Sequence, residues 1–142
     1  MLKILLSLLL MIPLAATPYS KVPKHDLDCL VYNVYYEARG ESAKGKMAVA
    51  LVTLNRVDNA NYPKDICKVV FQPSQFSWTL KPPKAAVNKK EWQDSKDAAF
   101  SAYMNRDILG KFNATHYHNT TVAPAWGLKK VTRIGNHIFY KA

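Results

Sequence analysis

The chain is short of cysteine, glycine and acid. Its 142 residues hold two cysteines, five glycines and ten acidic side chains against twenty basic ones. Two cysteines exclude a disulfide-dominated miniprotein, a zinc finger and a CxxC redox site. Five glycines exclude a collagen-like repeat. The apolar run at residues 4–14 is too short for a membrane-spanning helix, which needs about 20 residues. The scarcity of acid leaves a formal net charge of +10. Such a surplus asks for an anionic partner: nucleic acid, an anionic lipid surface or an anionic polymer.

What is present supports one packed domain. Hydrophobic residues make up 49% of the chain, enough for a core at this length. Residues 1–16 carry one charge, Lys3, then the apolar run and the small Ala15 and Ala16. They read as a secretory signal peptide, with a retained anchor as the alternative because Leu14 sits where a small residue is preferred. The expected address is therefore periplasmic or extracellular, with membrane contact only transient, through this segment. An oxidising compartment favours joining Cys29 to Cys67 over leaving two buried thiols. That bond would constrain the unfolded chain by about 4 kcal/mol.

Residues 17–25, with two prolines and no period, read as a linker or extended lead-in. Leu27, Leu30, Val31 and Val34 then recur at helical spacing, with Asp26 placed to cap and Gly40 to stop a helix over 27–39. Ser42 can cap a second helix reaching about Val57, with Met47, Ala50, Leu51 and Leu54 on one face. A short helix is expected at 65–71 and a long loop at 72–88. Asn88 and Glu91 resemble a capping box that opens a third helix with Trp92, Ala99 and Tyr103 inward. After Phe112, β-branched and aromatic residues take over, and Gly135-Asn136 marks a hairpin turn. The fold class is α+β, mainly helical, with a small C-terminal antiparallel hairpin or sheet.

Glu37 is the position that chemistry singles out. It lies about 20° around the helix from Leu30, so its carboxylate stands beside the apolar face at the helix end. Desolvation there raises a carboxyl pKa, as does the partial negative charge of a helix C-terminus. A carboxyl kept protonated near neutral pH suits a general acid. From periodicity alone the structural reading has the stronger claim, since most glutamates at such a border pack the stem and solvate the head. Arg39 and Glu41 read as structural partners of the turn.

Residues 28–57 contain the stretch EARGE, a Gly-x-x-Ala-Val-Ala pattern and Leu-Asn-Arg-Val. Further along come Gln72-Pro73-Ser74-Gln75-Phe76-Ser77-Trp78, Ala114-Thr115-His116-Tyr117-His118-Asn119, Pro124-Ala125-Trp126 and a closing block at 133–140. In order and spacing these blocks resemble the SleB-type cell wall hydrolases over residues 26–141. The resemblance implies a lysozyme-like, lytic-transglycosylase-like catalytic domain at 26–142, with peptidoglycan glycan strands as substrate, no cofactor and Glu37 as acid/base. It implies that Gln75, Phe76, Trp78, Tyr117, His118, Asn119 and Trp126 contact substrate. Phe76, Trp78, Tyr117 and Trp126 are equally placed to be packing residues. Longer family members carry an added wall-binding module, so wall binding here is expected of the catalytic domain, helped by its charge on an anionic envelope. A monomer is expected.

Two other readings compete. His116 and His118 alternate onto one strand face and, with His137, suggest a zinc amidase that cuts the stem peptide, although no HExxH spacing supports it. A non-catalytic basic binder of nucleic acid is poorly supported, because the lysines and arginines are scattered and no nucleic-acid motif is present.

Overall fold

The computed structural model describes residues 17–73, 75–80 and 88–142. The expected signal peptide at 1–16, Ser74 and residues 81–87 of the expected loop lie outside the described residues. Helix α1 spans Lys24–Glu37, α2 Ala43–Asp58, α3 Ile66–Val70 and α4 Lys89–Met104. Strands β1 (His116–Asn119), β2 (Lys129–Ile134) and β3 (His137–Lys141) follow.

The apolar residues that define α1, namely Leu27, Leu30, Val31 and Val34, are all buried. The helix begins earlier than capping by Asp26 predicts: Pro23 holds the cap position and Asp26 lies in the first turn, where negative charge favours a helix N-terminus. Glu37 is its last residue, and Gly40 at φ 80° redirects the chain. The lead-in is not a free linker. Pro18–Lys21 forms a 3-10 turn, Val22 is buried, and the Tyr19 ring meets Phe100 edge-on at 5.2 Å.

Ser42 caps α2 as expected, accepting from the Gly45 N–H at 3.1 Å. The one-faced pattern does not hold, since residues 48–52 and Leu54 are all buried and Met47 only partly so. The physical reason is position: α2 packs against α1, α3, α4 and β2, and a helix surrounded on all sides has no polar face to show. Asp65 caps α3 through the Lys68 N–H, and α3 carries Cys67 to its disulfide with Cys29 on α1. Asn88 caps α4 through the Glu91 N–H at 2.9 Å. Of the residues expected inward on α4, Ala99 is buried, while Trp92 and Tyr103 sit half-buried at the margin. Buried Lys46 of α2 ties these elements together, donating to the Glu41 carbonyl at 2.6 Å and pairing with Glu91 at 3.2 Å.

The sheet is antiparallel in the order β1-β3-β2, with the hairpin at Gly135-Asn136 as expected. Gly135 has φ 56°. A side chain there would strike the Glu41 carboxylate, which accepts from the Asn136 N–H at 3.2 Å. Glu41 thus pins the hairpin turn to the start of α2. Register places His116, His118, Ile138 and Tyr140 on one face and Tyr117, Asn119, His137 and Phe139 on the other. Phe139 is fully buried, so the second face looks into the core.

Candidate active site

The end of α2 determines where β1 lies. Asn55 donates from Nδ2 to the carbonyls of Phe112 (3.0 Å) and Ala114 (2.8 Å). Its neighbour Arg56, only 5% exposed, donates from Nε to the Thr115 carbonyl at 2.7 Å. With residues 112–115 held this way, β1 runs past the end of α1 and turns Tyr117 inward. The Tyr117 hydroxyl donates to Glu37 Oε2 at 3.2 Å.

Arg56 also donates from Nη1 to Gln75 Oε1 at 3.0 Å, and its guanidinium lies 5.6 Å from the centre of the Phe76 ring. Phe76 in turn stacks on Tyr117, with centroids 6.5 Å apart. Three elements therefore converge on one carboxylate, the end of α1, the end of α2 and β1, and the 75–80 segment packs on the Arg56 and Tyr117 that surround it. Arg56 has no role in the sequence-based site, although its place in Leu-Asn-Arg-Val is a signal. Arg56 is buried although Asp58 two positions on is exposed, and it finds its partners in the interior, on Thr115 and Gln75.

Burial pushes the Glu37 carboxyl above its ordinary value, opposed by the Tyr117 hydrogen bond and then by the positive charge of Arg56. This is the direction expected for a helix-end carboxyl at an apolar border. Burial also raises Tyr117 well above the ordinary phenol value, helped by the Glu37 charge. Tyr117 therefore stays a neutral donor. Arg56 is pulled down by burial but remains a cation.

The other nine carboxylates are engaged or placed elsewhere. Asp28, Asp94, Asp58 and Glu91 pair with Lys24, Lys90, Arg106 and Lys46. Asp97 binds Tyr19 and Gln93, Asp65 caps α3, and Glu41 holds the hairpin. Asp26 lies at the opposite end of α1 and Asp107 in the turn after α4.

The remaining candidates divide. Trp78 is anchored on α1, stacking on Tyr36 at 5.1 Å and donating from Nε1 to Asn33 Oδ1 at 3.2 Å. His118 and Trp126 lie on the outer face of the sheet. His118 stacks on Tyr140 and meets its hydroxyl at 2.8 Å, and the Trp126 ring, 41% exposed, lies 5.4 Å from it. The Asn119 side chain accepts from the Thr121 N–H in the following turn. Tyr117 is thus brought to Glu37, with Phe76 packed on Tyr117 and Gln75 held by Arg56, while alternation carries His118 to the opposite face, where Trp126 packs on it. Arg39 lays its guanidinium over the Tyr35 ring at 4.7 Å. The three-histidine set is not assembled, because His137 faces inward beside Tyr117 at 5.1 Å and His116 and His118 face outward. Among the described residues the one trio of metal-capable groups close enough to share an ion is His25, Cys29 and Cys67, and the disulfide uses both sulfurs.

Comparison with known proteins agrees with this fold. A family model described as Cell Wall Hydrolase matches residues 40–140, beginning three positions after Glu37. The spore cortex-lytic enzyme of Oceanobacillus iheyensis is 33% identical over 136 residues, covering 88% of this chain and 46% of that protein. A spore cortex-lytic enzyme of Bacillus cereus is 33% identical over 121 residues, covering 83% of this chain and 45% of that protein. The chain thus spans a little under half the length of these relatives. The solved catalytic domain of the germination-specific lytic transglycosylase SleB from Bacillus anthracis superposes with a TM-score of 0.69 at 31% identity. That match covers 84% of this chain and 97% of the solved domain. The SleB catalytic domain of Bacillus cereus gives a TM-score of 0.62 at 29% identity, covering 89% of this chain and all of that domain.

Proposed function

Because this chain belongs to the Cell Wall Hydrolase family, we propose that it cleaves peptidoglycan at the β-1,4 bond between N-acetylmuramic acid and N-acetylglucosamine, as a lytic transglycosylase. The observation that carries the reading is Glu37: a desolvated carboxyl, raised above its ordinary value and hydrogen-bonded to Tyr117. Protonated Glu37 gives its proton to the bridging oxygen as the bond from muramoyl C1 to that oxygen breaks. The resulting carboxylate takes the proton of the muramoyl C6 hydroxyl as the C6 oxygen bonds to C1 and closes a 1,6-anhydro ring. No water is consumed and Glu37 ends protonated, ready for the next turnover. Glycosidases usually employ a pair of carboxylates. The placement of the other nine away from Glu37 favours a mechanism that needs one.

Arg56 and Tyr117 stabilise the ionised form that appears between the two proton transfers. Burial stabilises the neutral form that starts the reaction. The balance suits a group that must be acid and then base. The solved relative described as a lytic transglycosylase supports the same reading. Action on the wall places the protein at the cell envelope or outside the cell, and its +10 charge suits an anionic envelope.

The test is digestion of purified peptidoglycan by the protein and by Glu37→Gln, with mass spectrometry of the released muropeptides. The expected products end in anhydro sugars, lighter by one water than hydrolysed ends, and the variant loses about 10²- to 10⁴-fold in rate. Free stem peptides, or a fully active variant, would overturn the reading.

A further inference from the structure

A cavity of about 860 Å³ opens at the other end of α1, between the 3-10 turn, α1 and α4. That volume is typical of small-molecule sites, which run from roughly 300 to 1,000 Å³. Three rings, Tyr19, Tyr32 and Trp92, and three ammonium groups, Lys21, Lys24 and Lys96, line it. The rings are held in place. Tyr32 meets Trp92 edge-on at 4.9 Å, and Lys96 Nζ lies 4.3 Å from the centre of the Tyr19 ring. The Tyr19 hydroxyl is bound by Asp97 and by Gln93. Most of this wall comes from residues 17–32, outside the matched family segment.

Aromatic rings connect the cavity to the catalytic end of the helix. Tyr32 stacks on Tyr36 at 6.5 Å, and Tyr36 stacks on Trp78 at 5.1 Å. From Leu27, which lines the cavity, to Glu37 is about 15 Å along the helix axis, a span of a few sugar units. Rings suit the apolar faces of a pyranose and ammonium groups suit an acidic substituent; the Asp28 carboxylate, also in the wall, pairs with Lys24 and leaves the three ammonium groups in excess over it.

We propose that this cavity is a second saccharide site, which holds a muramoyl pyranose whose lactyl carboxylate carries no stem peptide, on the same glycan strand that Glu37 cleaves. The identity of the strand rests on the peptidoglycan reading, while the preference for an acidic sugar rests on the cavity itself. The site would anchor long strands and be out of reach of short ones.

Two tetrasaccharides serve as probes, titrated calorimetrically into the full chain carrying Glu37→Gln: one of N-acetylglucosamine alone, the other alternating it with N-acetylmuramic acid. The acidic tetrasaccharide is expected to bind more tightly. Adding Lys21→Ala and Lys24→Ala, both at exposed positions, is expected to weaken its binding about tenfold and leave the neutral one unchanged. With Glu37 restored, the same lysine variants are expected to raise KM for long glycan strands stripped of stem peptides and keep kcat. Equal weakening of both sugars, or of neither, overturns the proposal, as does an unchanged KM. Retained cleavage by Glu37→Gln would count against the catalytic reading alone, since the binding measurement does not depend on turnover.

Discussion

Replacing Tyr117 by Phe removes one hydroxyl and almost nothing else. The ring keeps its packing against Phe76, His137 and Phe139, so the fold is expected to survive. What is lost is the hydrogen bond to Glu37 Oε2, which at 3.2 Å is long for an O–H···O bond. A bond of that length contributes about 0.5–1.5 kcal/mol. It favours the ionised carboxylate, so its removal moves Glu37 further up, in the direction burial already sets. The starting acid must be protonated, so the alkaline limb of the rate profile moves to higher pH. Where Glu37 is mostly ionised in the parent, the protonated fraction rises about two- to tenfold, since 1.36 kcal/mol is a factor of ten. Initial rates of peptidoglycan clearing, measured in parallel from acid to alkaline pH, give the ratio of variant to parent. That ratio is expected to climb with pH, even if loss of orientation lowers the acid plateau. A ratio that stays flat or falls would refute the placement of Glu37 as the initiating acid.

Other perturbations test the surrounding structure. Glu37→Gln is expected to stabilise the fold at neutral pH and not at acid pH. A carboxyl raised in the folded state contributes stability below its unfolded value, and that contribution is lost as pH rises through the folded one. Thermal melts at both ends of the range check this, and an equal difference at both would refute it. Arg56→Lys leaves a single ammonium to serve both Thr115 and Gln75. It is expected to cost about 1.5–3 kcal/mol in denaturant unfolding and to loosen the segment that carries Gln75. Opening the Cys29–Cys67 bond, whose partners are 38 residues apart, removes about 4 kcal/mol of unfolded-state constraint. Spread over a domain this size, that loss lowers Tm by about 15 °C, readable as the difference between melts with and without reductant. Added salt is expected to weaken attachment to whole walls more than it slows cleavage of short glycans, because surface charge is screened within about 8 Å at physiological ionic strength.

Local signals were legible where the chain interacts with its own neighbours. Ser42 and Asn88 cap the helices they precede, through groups three residues away, as their positions predicted. The Gly135-Asn136 turn was equally local. The face of α2 was not readable, because a helix enclosed on every side keeps no polar stripe. The inner face of β1 was not readable either. His-Tyr-His-Asn alternates polar and aromatic side chains over four residues, and period two yields two faces without saying which is inward.

Scarcity of acid is what the sequence determined most sharply. Periodicity put Glu37 beside an apolar stripe at a helix end and gave the direction of its shift, while its role as acid/base came only from the family resemblance. The order of helices before strands was also legible in local periodicity, and joining Cys29 to Cys67 was the favoured of two readings, which the structure bears out. Only the tertiary structure decided which groups surround that carboxylate. Arg56 finds its acceptor on Thr115, 59 residues away, and Tyr117 reaches Glu37 across 80. Such partners depend on how helices and sheet pack, and no periodicity within one segment records them. For the same reason His118, next to Tyr117 in sequence, lies on the far side of the sheet, with Trp126 packed against it. Alternation separates neighbours, and burial of Phe139 selects which side faces the core.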